Sequence, residues 1–201
     1  MSELERWEMR FAVDEYIFGT APNAFLAAQK QVLPRGGRAL AVADGEGRNG
    51  VWLAEQGLDV LAIDFSPKAQ AKARALAESR KVRYVTELAD ATKWRWPEAC
   101  FDVVAVIFTQ FANPLERREM FAGIRATLKP AGLLLMQGYT PRQLQYGTGG
   151  PKQIENLYTR ELLEQEFGGF SELRIDEYDC ELHEGYAHAG MSAVIDLVAR
   201  K

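Results

Sequence analysis

The sequence predicts an α/β fold: a mostly parallel sheet with helices on both faces and an antiparallel strand at the C-terminal end. Three observations carry this. Short, continuously apolar runs alternate with helical segments, the pattern of strands buried on both faces. A glycine hexapeptide, Gly45-Glu46-Gly47-Arg48-Asn49-Gly50, joins the first of those runs to a helix. The last two extended segments are joined by a link too short for a crossover helix, so they pair antiparallel.

In chain order, Trp7 to Phe18 mixes aromatic and charged residues and reads as a helix, broken by Gly19-Thr20-Ala21-Pro22. Asn23 caps a helix from Ala24 to Leu33, and Pro34-Arg35-Gly36-Gly37 ends it. Ala39 to Ala43 is the first strand, Asp44 to Gly47 a turn, and Asn49 to Gln56 a helix. Val60 to Ile63 is the second strand, stopped by Asp64, and Pro67 starts a helix reaching about Arg80. Val82–Thr86 and Val103–Phe108 are the third and fourth strands. A helix over Leu115–Leu128 closes at Lys129-Pro130-Ala131-Gly132, and Leu133–Met136 is the fifth strand. After a helix at Thr159–Phe167 come the two long segments Leu173–His183 and Ser192–Ala199, giving seven strands.

With 201 residues the chain suits one domain with a sizeable core, and 47% hydrophobic with 26% charged residues is globular composition. A net charge of −4 argues against nucleic acid as the principal partner, because phosphate binding needs a basic surface. Cys100 and Cys180 form no C-x-x-C pattern and read as two free thiols in a reducing cytoplasm. No apolar run is long enough to span a membrane, and the charged N-terminus does not read as a signal peptide. The expectation is a cytoplasmic protein, monomer or homodimer.

The hexapeptide matches G-x-G-x-x-G, follows a strand and opens a helix, the context in which a backbone turns tightly against a ligand. Asp64 lies 19 positions after Gly45 at the end of the second strand. An acid there can accept hydrogen bonds from both ribose hydroxyls of an adenosine ligand. The motif does not separate a nicotinamide cofactor from S-adenosylmethionine. The antiparallel ending, the helical segment before the first strand and the lack of room for a substrate domain favour the latter. So does the absence of a Tyr-x-x-x-Lys pair, since Gln143, Gly150 and Leu162 follow Tyr139, Tyr146 and Tyr158 at that spacing.

At this point the chain resembles small bacterial S-adenosylmethionine-dependent methyltransferases related to the tellurite-resistance methyltransferase family. The matching stretches include Trp7-Glu8-Met9-Arg10-Phe11, Tyr16 to Asn23, Gly45 to Asn49, Ala62-Ile63-Asp64-Phe65-Ser66, Phe101 to Val104 and Leu128 to Gly132. The resemblance implies a Rossmann-like, seven-stranded core over residues 38–201 with an N-terminal helical lid over 1–34. It implies S-adenosylmethionine as cofactor and a small-molecule methyl acceptor, a thiol or chalcogen oxyanion. It carries Gly45, Gly47, Asp64 and Phe65 into the cofactor site, and places Asp90 at the adenine amino group with Ala91 beside the ring. Asp90 reads equally as a turn cap. Phe108 ends the fourth strand, where the methionine part should lie.

Two departures bear on cofactor binding. Ala41 stands where such enzymes usually carry an acid, and Ala43 where they carry glycine. Asp44 is the loop acid that can take over the contact to the methionine amine. Ala131, in place of a usual glycine, is expected to be neutral. Arg10 is a candidate clamp for the methionine carboxylate, and otherwise a solvated helix charge. Phe18, Phe111 and Tyr139 are candidates for the methyl pocket. His188 is the candidate catalytic residue, orienting or deprotonating an acceptor; its alternative is a surface-turn histidine. The glycine-rich loop from Tyr146 to Lys152 is expected at the pocket rim. The rival functions are an NAD(P)-dependent reductase and a non-catalytic protein binding adenosine compounds.

Overall fold

The computed structural model describes residues 2–201. One sheet runs through the molecule in the order β3-β2-β1-β4-β5-β7-β6. Its strands are β1 (Arg38–Val42), β2 (Asp59–Asp64), β3 (Tyr84–Leu88), β4 (Phe101–Ile107), β5 (Leu128–Tyr139), β6 (Glu172–Glu184) and β7 (His188–Arg200). The first five pair in parallel, while β7 lies antiparallel to both β5 and β6, as the sequence pattern requires. Val42 sits opposite Ile63 on one side and Val106 on the other, so β1, β2 and β4 present their carboxyl ends at one edge. The chain's direction of travel reverses between β1 and β4. In open α/β sheets the ligand crevice lies outside the carboxyl ends at such a reversal.

Among the described residues there are six α-helices: α1 (Glu3–Arg10), α2 (Ala24–Ala28), α3 (Arg48–Glu55), α4 (Pro67–Arg80), α5 (Pro114–Thr127) and α6 (Arg160–Phe167). Alternate strand residues feed two buried layers. Leu40, Val42, Val104 and Val106 pack with Met120, Phe121 and Ile124 of α5 and Leu163 and Phe167 of α6. Ala39, Ala41, Ala62 and Ala105 face the other way, against Phe25, Leu26 and Leu53. Burial on both faces is why these strands read as continuous apolar runs. It also explains Ala41: an acid there would be desolvated in an apolar layer.

Several boundaries move. The first helix starts at Glu3 because Ser2 and Glu5 form a capping box, and it stops at Arg10 rather than Phe18. Beyond it, Lys72 Nζ of α4 takes the carbonyls of Val13 (3.0 Å) and Glu15 (2.6 Å). The helix capped by Asn23 tightens into a 3₁₀ turn over Gln29–Val32. The third strand starts at Tyr84, not Val82, because Val82 N bonds Ala77 O in the turn after α4 and its side chain packs on Val51 and Leu76. The fifth strand absorbs Lys129 to Gly132 as an irregularity, its register on β4 jumping between Phe101 and Val103.

That irregularity corrects the expectation for Ala131. The residue is exposed and sits at φ 61°, a left-handed conformation in which a Cβ is strained. Ala131→Gly should therefore raise unfolding stability by about 1 kcal/mol, measured as a shift in urea midpoint at unchanged slope. An unchanged or lowered midpoint would refute the strain at this position.

Candidate functional site

A cavity of about 340 Å³ opens at the carboxyl ends of β1, β2 and β4, within the range of small-ligand sites. Its base is the glycine loop. Gly45 N donates to Asp64 Oδ2 at 2.9 Å, drawing the loop after β1 against the end of β2. Gly47 does not line the cavity: at φ 90° its Cα passes so close to α4 that a Cβ would stand 2.7 Å from the Ala73 methyl. The third glycine, Gly50, admits Asp44; a Cβ there would lie 2.4 Å from Asp44 Oδ2.

Asp44 lines the cavity with only part of the residue, its carboxylate turned inward. Both oxygens accept from Gly50 N at 3.1 Å, and Oδ2 also accepts from Tyr84 Oη at 2.7 Å. These bonds tie α3 to β3, so the carboxylate is already committed within the protein. Burial pushes its pKa from 3.8 to about 7, against the bonds from Tyr84 and Gly50. Ala43, in the place of the usual glycine, is held at φ 49°.

Asp64 is 6% exposed and accepts one backbone N–H on each oxygen, from Ser66 (2.8 Å) and Gly45 (2.9 Å). A carboxylate has about four acceptor positions, so two remain for a ligand. Burial raises its pKa, opposed by the backbone N–H groups of Ser66, Gly45 and Phe65. Phe65, Asp90 and Ala91 continue this wall. Asp90 is both a lining residue and a turn cap: Oδ1 takes Thr92 N (3.0 Å) and Thr92 Oγ1 (2.7 Å). Its burial disfavours ionisation, yet the bonds from Thr92 and Lys93 outweigh it and hold the carboxyl below the ordinary range.

The facing wall is aromatic. Phe108 leaves β4 at φ 54°, an unusual backbone for a bulky residue, and its ring meets Tyr139 at 4.6 Å and His188 at 4.5 Å. Phe18 stands 4.5 Å from the other side of His188, and Phe111 completes the wall at the rim. Tyr139 lies behind Phe108 and does not line the cavity. The Tyr146–Lys152 loop does not reach the cavity either. Gly150 packs on the Tyr139 ring, and Thr148 Oγ1 donates to Met191 O.

The surface-turn alternative for His188 fails. Its link is three residues long, and Gly185 packs so tightly on Ile17 to Gly19 that a Cβ would lie 2.5 Å from Ile17 O. Ala187 N also donates to Ile17 O at 3.1 Å. The hairpin tip is thereby folded over the N-terminal segment and His188 is pressed into the cavity wall. Its Nδ1 is buried without a partner. Burial, then Arg48 and Arg10, depress its pKa to about 3. Arg10 itself lies outside the lining, over the Trp7 ring at 4.5 Å and near Phe18 at 5.9 Å.

The lid side is formed by Glu3, Trp7, Phe11 and Phe18. Trp7 and Phe11 stack at 5.3 Å, and Glu8 accepts from Ser66 Oγ and from Lys68 N (3.1 Å) at the start of α4. Residues 2–34 thus dock on the core; Met1 of the expected lid lies outside the described residues. Sequence reasoning passed over Arg48, Asn49, Trp7 and Phe11, all in the lining, and Glu184 behind it. Arg48 and Asn49 were visible only as variable letters of the hexapeptide, and nothing local marks Glu184, 136 positions from Arg48.

Among the described residues no helix is long and apolar enough to cross a membrane, and no group of His, Cys, Asp and Glu gathers as metal ligands. Cys100 and Cys180 are free.

Residues 39–132 match the family described as a methyltransferase domain, a segment holding the glycine loop, Asp64 and the Leu128–Gly132 turn. The demethylmenaquinone methyltransferase of Thermus thermophilus is 32% identical over 108 residues, 52% of this chain; the match spans about half, 48%, of that protein. The structure of TehB from Haemophilus influenzae superposes with a TM-score of 0.74 and 17% identity, covering 90% of this chain and 63% of that one. Phosphoethanolamine N-methyltransferase 2 of Haemonchus contortus, solved with phosphomonomethylethanolamine and S-adenosylhomocysteine, gives a TM-score of 0.72 at 19% identity over 96% of this chain and 57% of that one. The family resemblance read in the sequence is borne out by the matched segment, and the Rossmann-like fold by the superpositions.

Asp44 makes the site's stability depend on pH. The unfolded carboxyl ionises near 3.8 and the folded one near 7, so the native state loses stability as pH rises through that window. Asp44→Asn retains an acceptor for Gly50 N and removes the titration. Its urea midpoint relative to the parent protein should rise between about pH 4.5 and about pH 8. A difference that stays constant with pH would refute the raised carboxyl.

Proposed function

We propose that this chain transfers the methyl group of S-adenosylmethionine to a small-molecule acceptor. The observation that carries the reading is Asp64: a buried carboxylate with two acceptor positions left, facing a cavity floored by Gly45. A vicinal ribose diol fits those positions. Phe65 offers a ring face, and Asp90 an acceptor, to an adenine on the same wall. Asp44 shapes the floor from within, its carboxylate held by Gly50 N and Tyr84 Oη with an acceptor position left on Oδ1 for the methionine amine. Arg10 stands over Trp7 and near Phe18, outside the lining, and would have to turn from Trp7 to meet the methionine carboxylate.

When bound, the cofactor supplies an electrophilic methyl carbon on a positively charged sulfur. The chain's part is orientation and exclusion of water. Phe18, Phe108 and Phe111 present an apolar, electron-rich wall that favours a cation and keeps the reacting centre dry. His188, with its pKa near 3, is a poor base, so it positions the acceptor rather than deprotonating it. A nucleophile that arrives ionised and soft suits this site, which favours a thiolate or a chalcogen oxyanion as acceptor. Residues 2–23 act as a lid over a core spanning 38–201: Glu8 and the Trp7–Phe11 pair hold it closed on α4.

Thermal shifts with S-adenosylmethionine, S-adenosylhomocysteine, NAD and NADP test the cofactor. A ligand at a hundred times its Kd stabilises by about 2.7 kcal/mol. The two adenosyl compounds should stabilise and the dinucleotides should not; stabilisation by NAD or NADP alone would establish the reductase reading instead. Asp64→Ala should weaken S-adenosylhomocysteine by about 1.5–3 kcal/mol, roughly 10- to 150-fold in Kd.

The lid has its own test. Amide exchange over residues 2–23 should slow on adding S-adenosylhomocysteine, while that of the β4 and β5 core stays constant. Equal protection with and without ligand would make α1 a permanently docked helix.

A further inference from the structure

We propose that Lys72 is a positioning residue for the cofactor site: with Glu46 it fastens residues 13–18 to the glycine loop, so that α1 opens and closes about Ala12 while Phe18 stays in the cavity wall. The proposal rests on the methyl-transfer reading above for its ligand, and divides the lid into a moving part and a fixed part.

Lys72 stands on α4, its side chain 15% exposed, where three elements meet. An ammonium has three N–H donors and no acceptor. Lys72 Nζ donates to two carbonyls of the N-terminal segment, Val13 O at 3.0 Å and Glu15 O at 2.6 Å. Its charge is met by Glu46 Oε1 at 2.5 Å, an ion pair whose angles are not those of a hydrogen bond. The Tyr16 ring lies 5.1 Å from the same ammonium, and Tyr16 Oη donates to Lys72 O at 3.0 Å. The stretch is thus held by both the side chain and the backbone of one lysine.

Glu46 lies between Gly45 and Gly47, with its side chain 1% exposed. Its second oxygen accepts from Phe18 N at 3.4 Å. Gly45 floors the cavity and Phe18 lines it. One carboxylate therefore joins the glycine loop to the aromatic wall and, through Lys72, to α4. A buried ion pair is weak evidence for stability, since desolvation of two charges offsets their attraction. Holding one arrangement of three elements accounts for this pair better. The far end of the same stretch is fixed from the terminal hairpin, by Ala187 N on Ile17 O and by the close approach of Gly185.

α1 is attached differently. No residue of the helix is buried. It rests on the start of α4 through Glu8, which accepts from Ser66 Oγ and Lys68 N, and on the stack of Trp7 against Phe11. Glu3 and Trp7 nevertheless line the cavity, so this lightly held helix covers the site. Between the two parts lies Ala12, exposed, its amide bonded back to Met9 O at 3.3 Å. Local opening is easiest where little apolar surface is buried. Bending at Ala12 lifts Glu3 and Trp7 and leaves the wall at Phe18 intact.

Limited proteolysis of the full chain, with and without saturating S-adenosylhomocysteine, reads the two parts separately. Trypsin cuts after Arg10 on α1. A glutamate-specific protease cuts after Glu15, whose side chain is exposed while its carbonyl is held by Lys72. Rates are taken relative to cleavage after Glu161 on α6, which reports general loosening. Where opening is fast relative to cleavage, the ligand should slow cutting after Arg10 at least about fivefold. Cutting after Glu15 should be slow in both states. Lys72→Met should speed cutting after Glu15 about tenfold or more without ligand and weaken S-adenosylhomocysteine about three- to tenfold. Because that variant leaves Glu46 buried without its cation, Lys72→Met/Glu46→Gln is measured alongside; it should fold and behave the same way. Lys72→Arg keeps a cation and its donors, so it should restore most of the resistance at Glu15.

Two results overturn the proposal. One is parent protein cut after Glu15 as fast as after Arg10 and protected by ligand at both, which makes residues 2–23 move as one body. The other is resistance at Glu15 unchanged in both Lys72→Met variants. Failure of the parent chain to bind S-adenosylhomocysteine is a separate outcome: it sinks the methyl-transfer reading, while the comparison at Glu15 without ligand still decides the fastening.

Discussion

The two hydrogen bonds accepted by Asp64 are the constraint on which the rest of the site depends. One reaches back to Gly45 in the loop after β1, the other forward to Ser66 at the start of α4. A single carboxylate therefore gathers the ends of two neighbouring strands and the beginning of a helix around one point. Ser66 extends the chain of contacts, capping α4 through Ala69 N while its hydroxyl donates to Glu8 of α1. The cavity floor and α1 are joined through three consecutive positions of sequence and one side chain from α1.

Around that point the molecule concentrates features that cost stability. Phe108 and Ala43 occupy left-handed backbone, Asp44 holds its proton to about pH 7, and His188 refuses one until about pH 3. Arg48 keeps an unpaired edge. Away from the cavity two apolar layers fill the faces of the sheet, with isolated exceptions such as Asp196, its pKa raised to about 6 by burial, and the unpartnered Tyr158 hydroxyl. Strain and perturbed titration gather where a ligand can repay them. The dry aromatic wall and the buried charges serve one another, because electrostatic recognition strengthens where water is excluded.

The terminal hairpin and the N-terminal segment form one unit. Gly185 lies on Ile17–Gly19, Glu184 binds Asn23 and the first amide of α2, and His188 touches Phe18. Movement of the segment carrying Phe18 therefore alters the surroundings of His188 and, through Glu184, of Arg48.

The sequence by itself determined what is local or periodic. Strands buried on both faces read as apolar runs, Asn23 and Ser66 read as caps, and the G-x-G-x-x-G loop with Asp64 stands within 19 positions. The short link after β6 dictated antiparallel pairing. Only the tertiary structure decided the rest. Val82 is drawn from β3 to seal α4, Lys72 holds the non-helical segment after α1, and the Asp44 carboxylate accepts from Tyr84. The Arg48–Glu184–Asn23 network is the extreme case: Arg48 and Glu184 lie 136 positions apart, Asn23 and Glu184 161. No period or spacing encodes such pairs, because their meeting depends on how the whole sheet orders its strands and where the last hairpin comes to rest.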